Sequence, residues 1–297
     1  MAPHRLIRTP TLEIALEESG PSGGRPVVLL HGYPYSPRGY DAVVPILAAA
    51  GLRVLVPHLR GYGATRFRDA GTMRSGQQAV LARDLLDLLD ALSIPRALLA
   101  GYDWGGRAAC IVAALHPERC AGLVSCAGYA VQDIAAMARP GEPEQERRWW
   151  YQYYFHTERG VRGLEANRAA IAKLLWRMWS PDWAFSEAEF AASARDFENP
   201  DHVAVVIHSY RHRFGVVAGD PAVQGMEEAL AKLPVVGVPS IVVHGETDGV
   251  TPVASSAGHA RFFSGEYERL VFPRIGHNPP QEAPEAFARC MLDLAGT

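Results

Sequence analysis

The chain has 297 residues, 48% of them hydrophobic and 21% charged, and carries a formal net charge of −3. That length exceeds one average domain but fits a single large α/β domain with an insertion. The composition argues against disorder and against a membrane-embedded class, and the charge gives no electrostatic reason to expect nucleic acid or anionic lipid as a partner. Four cysteines, Cys110, Cys120, Cys126 and Cys290, lie in apolar surroundings without C-x-x-C spacing, which fits buried free thiols and a cytoplasmic, reducing location. No long apolar stretch follows Met1–Arg5, and no segment approaches about 18 uninterrupted apolar residues, so neither secretion nor a membrane span is expected.

In chain order, Thr11–Leu16 alternates as an edge strand. Val27–Leu30 and Val54–Val56 are short apolar runs suited to strands covered on both faces, and Tyr40–Ala50 between them reads as a helix stopped by Gly51. Gln77–Leu92 is the clearest helix, with Val80, Leu81, Leu85, Leu88, Leu89 and Leu92 on one stripe and Pro95 beyond its end. Ala97–Ala100 reads as a strand, followed by a turn and a helix opening at Gly105; Leu123–Cys126 is the next strand. This alternation predicts an α/β protein with a doubly wound, mostly parallel sheet. After Gly128 the texture changes. Trp149–Trp183 is crowded with Trp, Tyr, Phe and Arg and reads helical, and the ambiguous run Val203–Ile207 reads helical in that setting. Alternation returns with a strand at Ser240–Val243, a helix near Val253–Phe263, a strand at Leu270–Phe272 and a helix near Pro284–Leu294. The economical account is a core of residues 1–129 and 226–297 interrupted by a helical cap over 130–225.

Gly101-Tyr102-Asp103-Trp104-Gly105 carries the chemistry. Strand, glycine-bounded turn and helix together form a G-x-Nuc-x-G nucleophile elbow. Its central residue is Asp where an esterase would carry Ser. A carboxylate is poorly suited to acyl transfer but can displace a leaving group at saturated carbon, forming an alkyl ester. That ester must be hydrolysed by water activated by a base. Asp248, in His244-Gly245-Glu246-Thr247-Asp248, and His277, in Ile275-Gly276-His277-Asn278, each follow a predicted strand. The order Asp103, Asp248, His277 is the nucleophile–acid–histidine order of the α/β-hydrolase fold. The turn His31-Gly32-Tyr33-Pro34 can aim the Tyr33 N–H at the site beside that of Trp104, as a two-donor oxyanion hole. His31 reads as structural and Arg60-Gly61-Tyr62-Gly63 as a framework turn. Gly20-Pro21-Ser22-Gly23-Gly24 formally matches G-x-S-x-G, but it precedes a strand rather than following one, so Ser22 is not read as a nucleophile.

With these segments assembled, the chain resembles the α/β-hydrolase-fold epoxide hydrolases along nearly its whole length, a family related to haloalkane and fluoroacetate dehalogenases. Trp150-Tyr151-Gln152-Tyr153-Tyr154-Phe155 is similar to that family's D-Y-Q-L-Y-F segment, and His208-Ser209-Tyr210-Arg211 to its N-W-Y-R segment. The resemblance implies that Tyr151 and Tyr210 donate to the epoxide oxygen, with Tyr153 or Tyr154 as substitutes for the first. Gln152 is a further substrate-binding candidate. It implies a small-molecule substrate, a monomer or homodimer, no metal and no organic cofactor, and a vicinal diol as product. Ser209 stands where the family has Trp, which would widen the pocket. The first alternative is a dehalogenase using the same Asp103, with Trp104 helping to hold halide. Against it, Tyr33 replaces the Asn that haloalkane dehalogenases place after His-Gly. Fluoroacetate dehalogenases are similar at Arg107, which here serves either a substrate carboxylate or a structural ion pair, but they carry Arg directly after the nucleophile where this chain has Trp104. The second alternative is a catalytically silent binder on the same fold.

Overall fold

The computed structural model describes residues 4–297, and the apolar runs within them become one nine-stranded sheet. Its strands are β1 (Arg5–Arg8), β2 (Leu12–Ser19), β3 (Pro26–Leu30), β4 (Arg53–Pro57), β5 (Arg66–Phe67), β6 (Ala97–Gly101), β7 (Cys120–Cys126), β8 (Ser240–Gly245) and β9 (Tyr267–Phe272). Their order across the sheet is β1-β2-β4-β3-β6-β7-β8-β9, with β5 paired to β2. From β4 to β9 every pairing along this path is parallel, whereas β1 and β2 run antiparallel to their neighbours.

Helices α1 (Val43–Ala49), α2 (Gln78–Ala91) and α3 (Asp103–Leu115) alternate with the first strands. The excursion between β7 and β8 is built of helices: α4 (Pro143–Arg148), α5 (Trp150–His156), α6 (Glu158–Trp179), α7 (Glu187–Ala194), α8 (His202–Arg213) and α9 (Gln224–Leu230). Helices α10 (Pro279–Glu282) and α11 (Pro284–Ala295) follow β9. Pairing of α2 with α3 and of α1 with α11 covers the sheet on both faces. That is why β3, β6 and the Ile241–Val243 stretch of β8 are apolar without alternation, and all three strands are buried nearly end to end. Cys110, Cys120, Cys126 and Cys290 are free and buried in this core. Among the described residues no helix is long and apolar enough to cross a membrane.

Three local expectations are corrected. The strand predicted at Thr11–Leu16 is β2, which lies between β1 and β4 rather than at an edge. Its alternation reflects one polar face, and says nothing of how many neighbours a strand has. The helix predicted over Tyr40–Ala50 is split into a 3₁₀ turn at Pro37–Tyr40 and α1. The helix predicted near Val253–Phe263 is two 3₁₀ turns, Val253–Ser256 and His259–Phe262. Arg269 explains the break: its guanidinium donates to the Val253 carbonyl at 2.7 Å and to Ser256 Oγ at 2.8 Å, taking an acceptor that a continuous helix would use.

Candidate active site

Strand β6 ends at Gly101 and α3 begins at Asp103 itself, two residues before the predicted opening at Gly105, because the Gly106 N–H already bonds the Tyr102 carbonyl at 3.1 Å. Asp103 takes a φ of +50°, the left-handed region that side chains with a Cβ rarely adopt. Two close approaches hold it there. A Cβ on Gly105 would lie 2.1 Å from the Leu30 carbonyl oxygen, and one on Gly32 would lie 2.4 Å from the Asp103 Cβ. Glycine at both positions lets the ends of β3 and β6 pass at backbone distance.

The Asp103 carboxylate is unsymmetrical in its surroundings. The Tyr33 N–H donates to Oδ1 at 2.8 Å. Oδ2 lies 3.4 Å from Arg107 Nη2 and 3.9 Å from His277 Nε2. Burial opposes ionisation, but Arg107 and His277 outweigh it and hold the pKa down to about 2. The Trp104 N–H lies in the first turn of α3, where no intrahelical carbonyl can receive it.

His277 Nδ1 donates to Asp248 Oδ2 at 2.8 Å. Its Nε2 has no hydrogen-bond partner among the described residues, since 3.9 Å to Asp103 exceeds hydrogen-bond range. Asp248 Oδ1 accepts from the N–H groups of Val250 at 2.7 Å and Thr251 at 2.9 Å. Burial favours a neutral Asp248, yet the facing imidazolium prevails and lowers its pKa. Burial likewise disfavours a charged His277, but Asp248 and Asp103 together push it up to about 10. The loop bearing His277 is pinned by residues that no sequence pattern pointed to. Glu282 accepts from the Gly276 and Asn278 N–H groups and from Ser180 Oγ, while Ser180 Oγ accepts from the His277 N–H. A carboxylate following a His-containing turn by five residues is too common to have signalled this.

Asp103, Arg107, His277, Tyr151, Gln152 and Arg213 border one cavity of about 280 Å³. Gln152 Nε2 donates to Tyr151 Oη at 3.0 Å, and its Oε1 accepts from Arg213 Nη1 at 3.2 Å. The amide orientation is fixed by chemistry, because a guanidinium only donates. Tyr151 Oη is therefore an acceptor toward Gln152 and keeps its own proton for another partner. Tyr210 is not among the lining residues; its ring stands edge-on to Tyr151 at 5.3 Å and to Tyr33 at 5.6 Å. Tyr153 turns its hydroxyl to Glu146 and Tyr154 packs toward Gly163, so neither reaches the cavity. Ser209 does not widen the pocket as expected: it packs on Gly76, where an added Cβ would lie 2.8 Å from the serine Cβ. Arg213, the last residue of α8, is a further cavity residue that no motif in the sequence singles out. His31 is buried with Nε2 accepting from the Leu59 N–H at 3.1 Å, and burial takes its pKa down to about 3, consistent with a structural role. Arg60 fits the framework reading, gripping Asp84 at 2.6 and 2.7 Å. Among the described residues no group of His, Cys, Asp and Glu is arranged to hold a metal ion.

The alpha/beta hydrolase fold family matches residues 25–284. The chain belongs to it. Within this hydrolase family, the chain is 34% identical over 175 residues to Epoxide hydrolase B of Mycobacterium tuberculosis, a match covering 53% of this chain and 48% of that protein; the chain thus spans about half that relative's length. It is 26% identical to Epoxide hydrolase A of the same organism, over 98% of this chain and 96% of that one. A crystal structure from Klebsiella pneumoniae subsp. pneumoniae, provisionally described as an epoxide hydrolase, superposes with a TM-score of 0.96 at 45% identity, covering 99% of this chain and 97% of that chain.

Proposed function

We propose that this protein is a cofactor-independent epoxide hydrolase, with residues 130–225 acting as a cap over a core of residues 1–129 and 226–297. One observation carries the reading: an ionised Asp103 has one oxygen held by the Tyr33 N–H and the other facing a tyrosine-walled cavity and His277. In the first step Oδ2 attacks an epoxide carbon, the C–O bond breaks, and the oxygen takes the Tyr151 phenolic proton, with Tyr210 supporting from behind. Proton transfer from the imidazolium to the phenolate then leaves His277 neutral. This transfer is favoured because esterification removes one of the two anions that raised its pKa. In the second step His277, backed by Asp248, takes a proton from water as the water adds to the ester carbonyl. The Tyr33 and Trp104 N–H groups receive the oxyanion. Collapse expels the diol oxygen, which takes the carboxyl proton, and the starting charges return.

A single turnover in heavy-oxygen water tests the covalent route. Label should enter Asp103 and be absent from the first diol; label appearing at once in the diol would overturn it. One observation favours a second reading, the dehalogenase: the buried Trp104 Nε1 has no acceptor among the described residues and could hold halide. Halide release compared with diol formation on paired substrates decides between them.

A further inference from the structure

Arg213 closes α8 and is only 5% exposed. Nη1 is used by Gln152, whereas Nε and Nη2, the two donors on one edge of the guanidinium, are buried and have no acceptor among the described residues. Arg60 supplies the contrast. It is equally buried, at 3%, and spends that same edge on both oxygens of Asp84. The Tyr210 ring under Arg213, 4.7 Å from the guanidinium carbon, offsets part of the desolvation but supplies no anion. A buried cation is ordinarily paired.

The charges around the cavity point the same way. Asp103 is the one carboxylate on its wall, against Arg107, Arg213 and His277; Asp248, behind His277, offsets one of these. Arg107 is already engaged with Asp103. Arg213 thus remains as the cation whose partner must come from outside, and a side-on pair of N–H donors matches the two oxygens of a carboxylate.

We propose that Arg213 is an anion-binding residue of this cavity and that the substrate is a small epoxide bearing a carboxylate, held on the guanidinium with its ring over Asp103 Oδ2. This rests on the epoxide hydrolase reading above. The volume of about 280 Å³ suits a compact molecule of this kind.

The test compares kcat/KM for glycidate with that for glycidamide, its neutral counterpart, in the full chain and in the Arg213→Met, Arg213→Lys and Arg107→Met variants. The unaltered chain should prefer the acid by about 30-fold, as expected for paired charged hydrogen bonds in a buried site. Arg213→Met should erase that preference, and Arg213→Lys should keep only part of it, since the fork is lost. No preference in the unaltered chain overturns the proposal. So does a preference that survives Arg213→Met and disappears in Arg107→Met. Calorimetric titration with glycerate, the corresponding diol acid, probes the anion seat without chemistry. Binding that weakens about tenfold or more in Arg213→Met supports the seat even if no epoxide is turned over, which would count against the parent reading alone. Absence of glycerate binding to the unaltered chain overturns the seat. Should Arg213→Met fail to fold, Arg213→Lys and the same titration decide.

Discussion

Replacing Asp248 with Asn tests the site at its most constrained point. Asp248 Oδ1 accepts two backbone N–H groups, from Val250 and Thr251, so an amide there keeps its oxygen on them and turns its NH₂ toward His277 Nδ1. His277 must then accept at Nδ1 and carry its proton on Nε2, the nitrogen facing Asp103. In that tautomer Nε2 cannot take a proton from water. The same tautomer error in a serine protease costs about 10⁴ in kcat, and a loss of about 10³–10⁴ in steady-state turnover is expected here. Ester formation should survive, because Asp103 keeps both Tyr33 and Arg107. Rapid quenching followed by intact-mass measurement should show the chain heavier by one substrate molecule, with the adduct persisting long after the unaltered enzyme has cleared it. Diol formation at the unaltered rate, with no adduct, would refute both the geometry and the role assigned to His277.

Four further outcomes follow from the same geometry. In Gly32→Ala the new Cβ would sit 2.4 Å from the Asp103 Cβ and 2.7 Å from its Oδ1; denaturant unfolding should show a loss of about 1–3 kcal/mol together with lost turnover, and an unchanged variant would contradict the close approach. Tyr151→Phe should slow ester formation about 10²-fold in stopped-flow with little change in unfolding, and an unaltered rate would remove this phenol from the mechanism. His277 is raised from an ordinary 6.5 to about 10, so its stabilising contribution is complete below pH 6.5 and is lost as pH rises through 10; a Tm that falls across this window in the unaltered chain, but not in His277→Gln, is the expected signature. Asp103 has the opposite sign. Its pKa is depressed to about 2, so its contribution is present above the usual 3.8 and disappears as pH falls through 2, and ester formation should show no acid limb near pH 4 wherever the fold persists.

The sheet and the elbow were legible because each depends on local pattern. Continuous apolar runs mark strands covered on both faces, and Gly105 is required where the Leu30 carbonyl lies within 2.1 Å of a Cβ. The juxtaposition of Asp103, Asp248 and His277 was legible because strand ends in a parallel sheet converge on one edge. Contacts set by packing between distant segments were not. Nothing near Ser209 announces Gly76, and nothing near Glu282 announces Ser180. Arg213 looks, in sequence, like any cation ending a helix, and only the fold reveals that one edge of its guanidinium lacks an acceptor. The predicted helix at Val253–Phe263 failed for the same reason, since Arg269 reaches it from β9.

The single backbone donor on Asp103 Oδ1 gives the two carboxylate oxygens different histories. In the proposed reaction the atom facing His277 leaves inside each product and is replaced from solvent, whereas the atom bound to Tyr33 never departs. An enzyme molecule would therefore carry one oxygen from its own biosynthesis through every cycle while renewing the neighbouring one each time. Scrambling between the two would measure how often the side chain flips free of that tether.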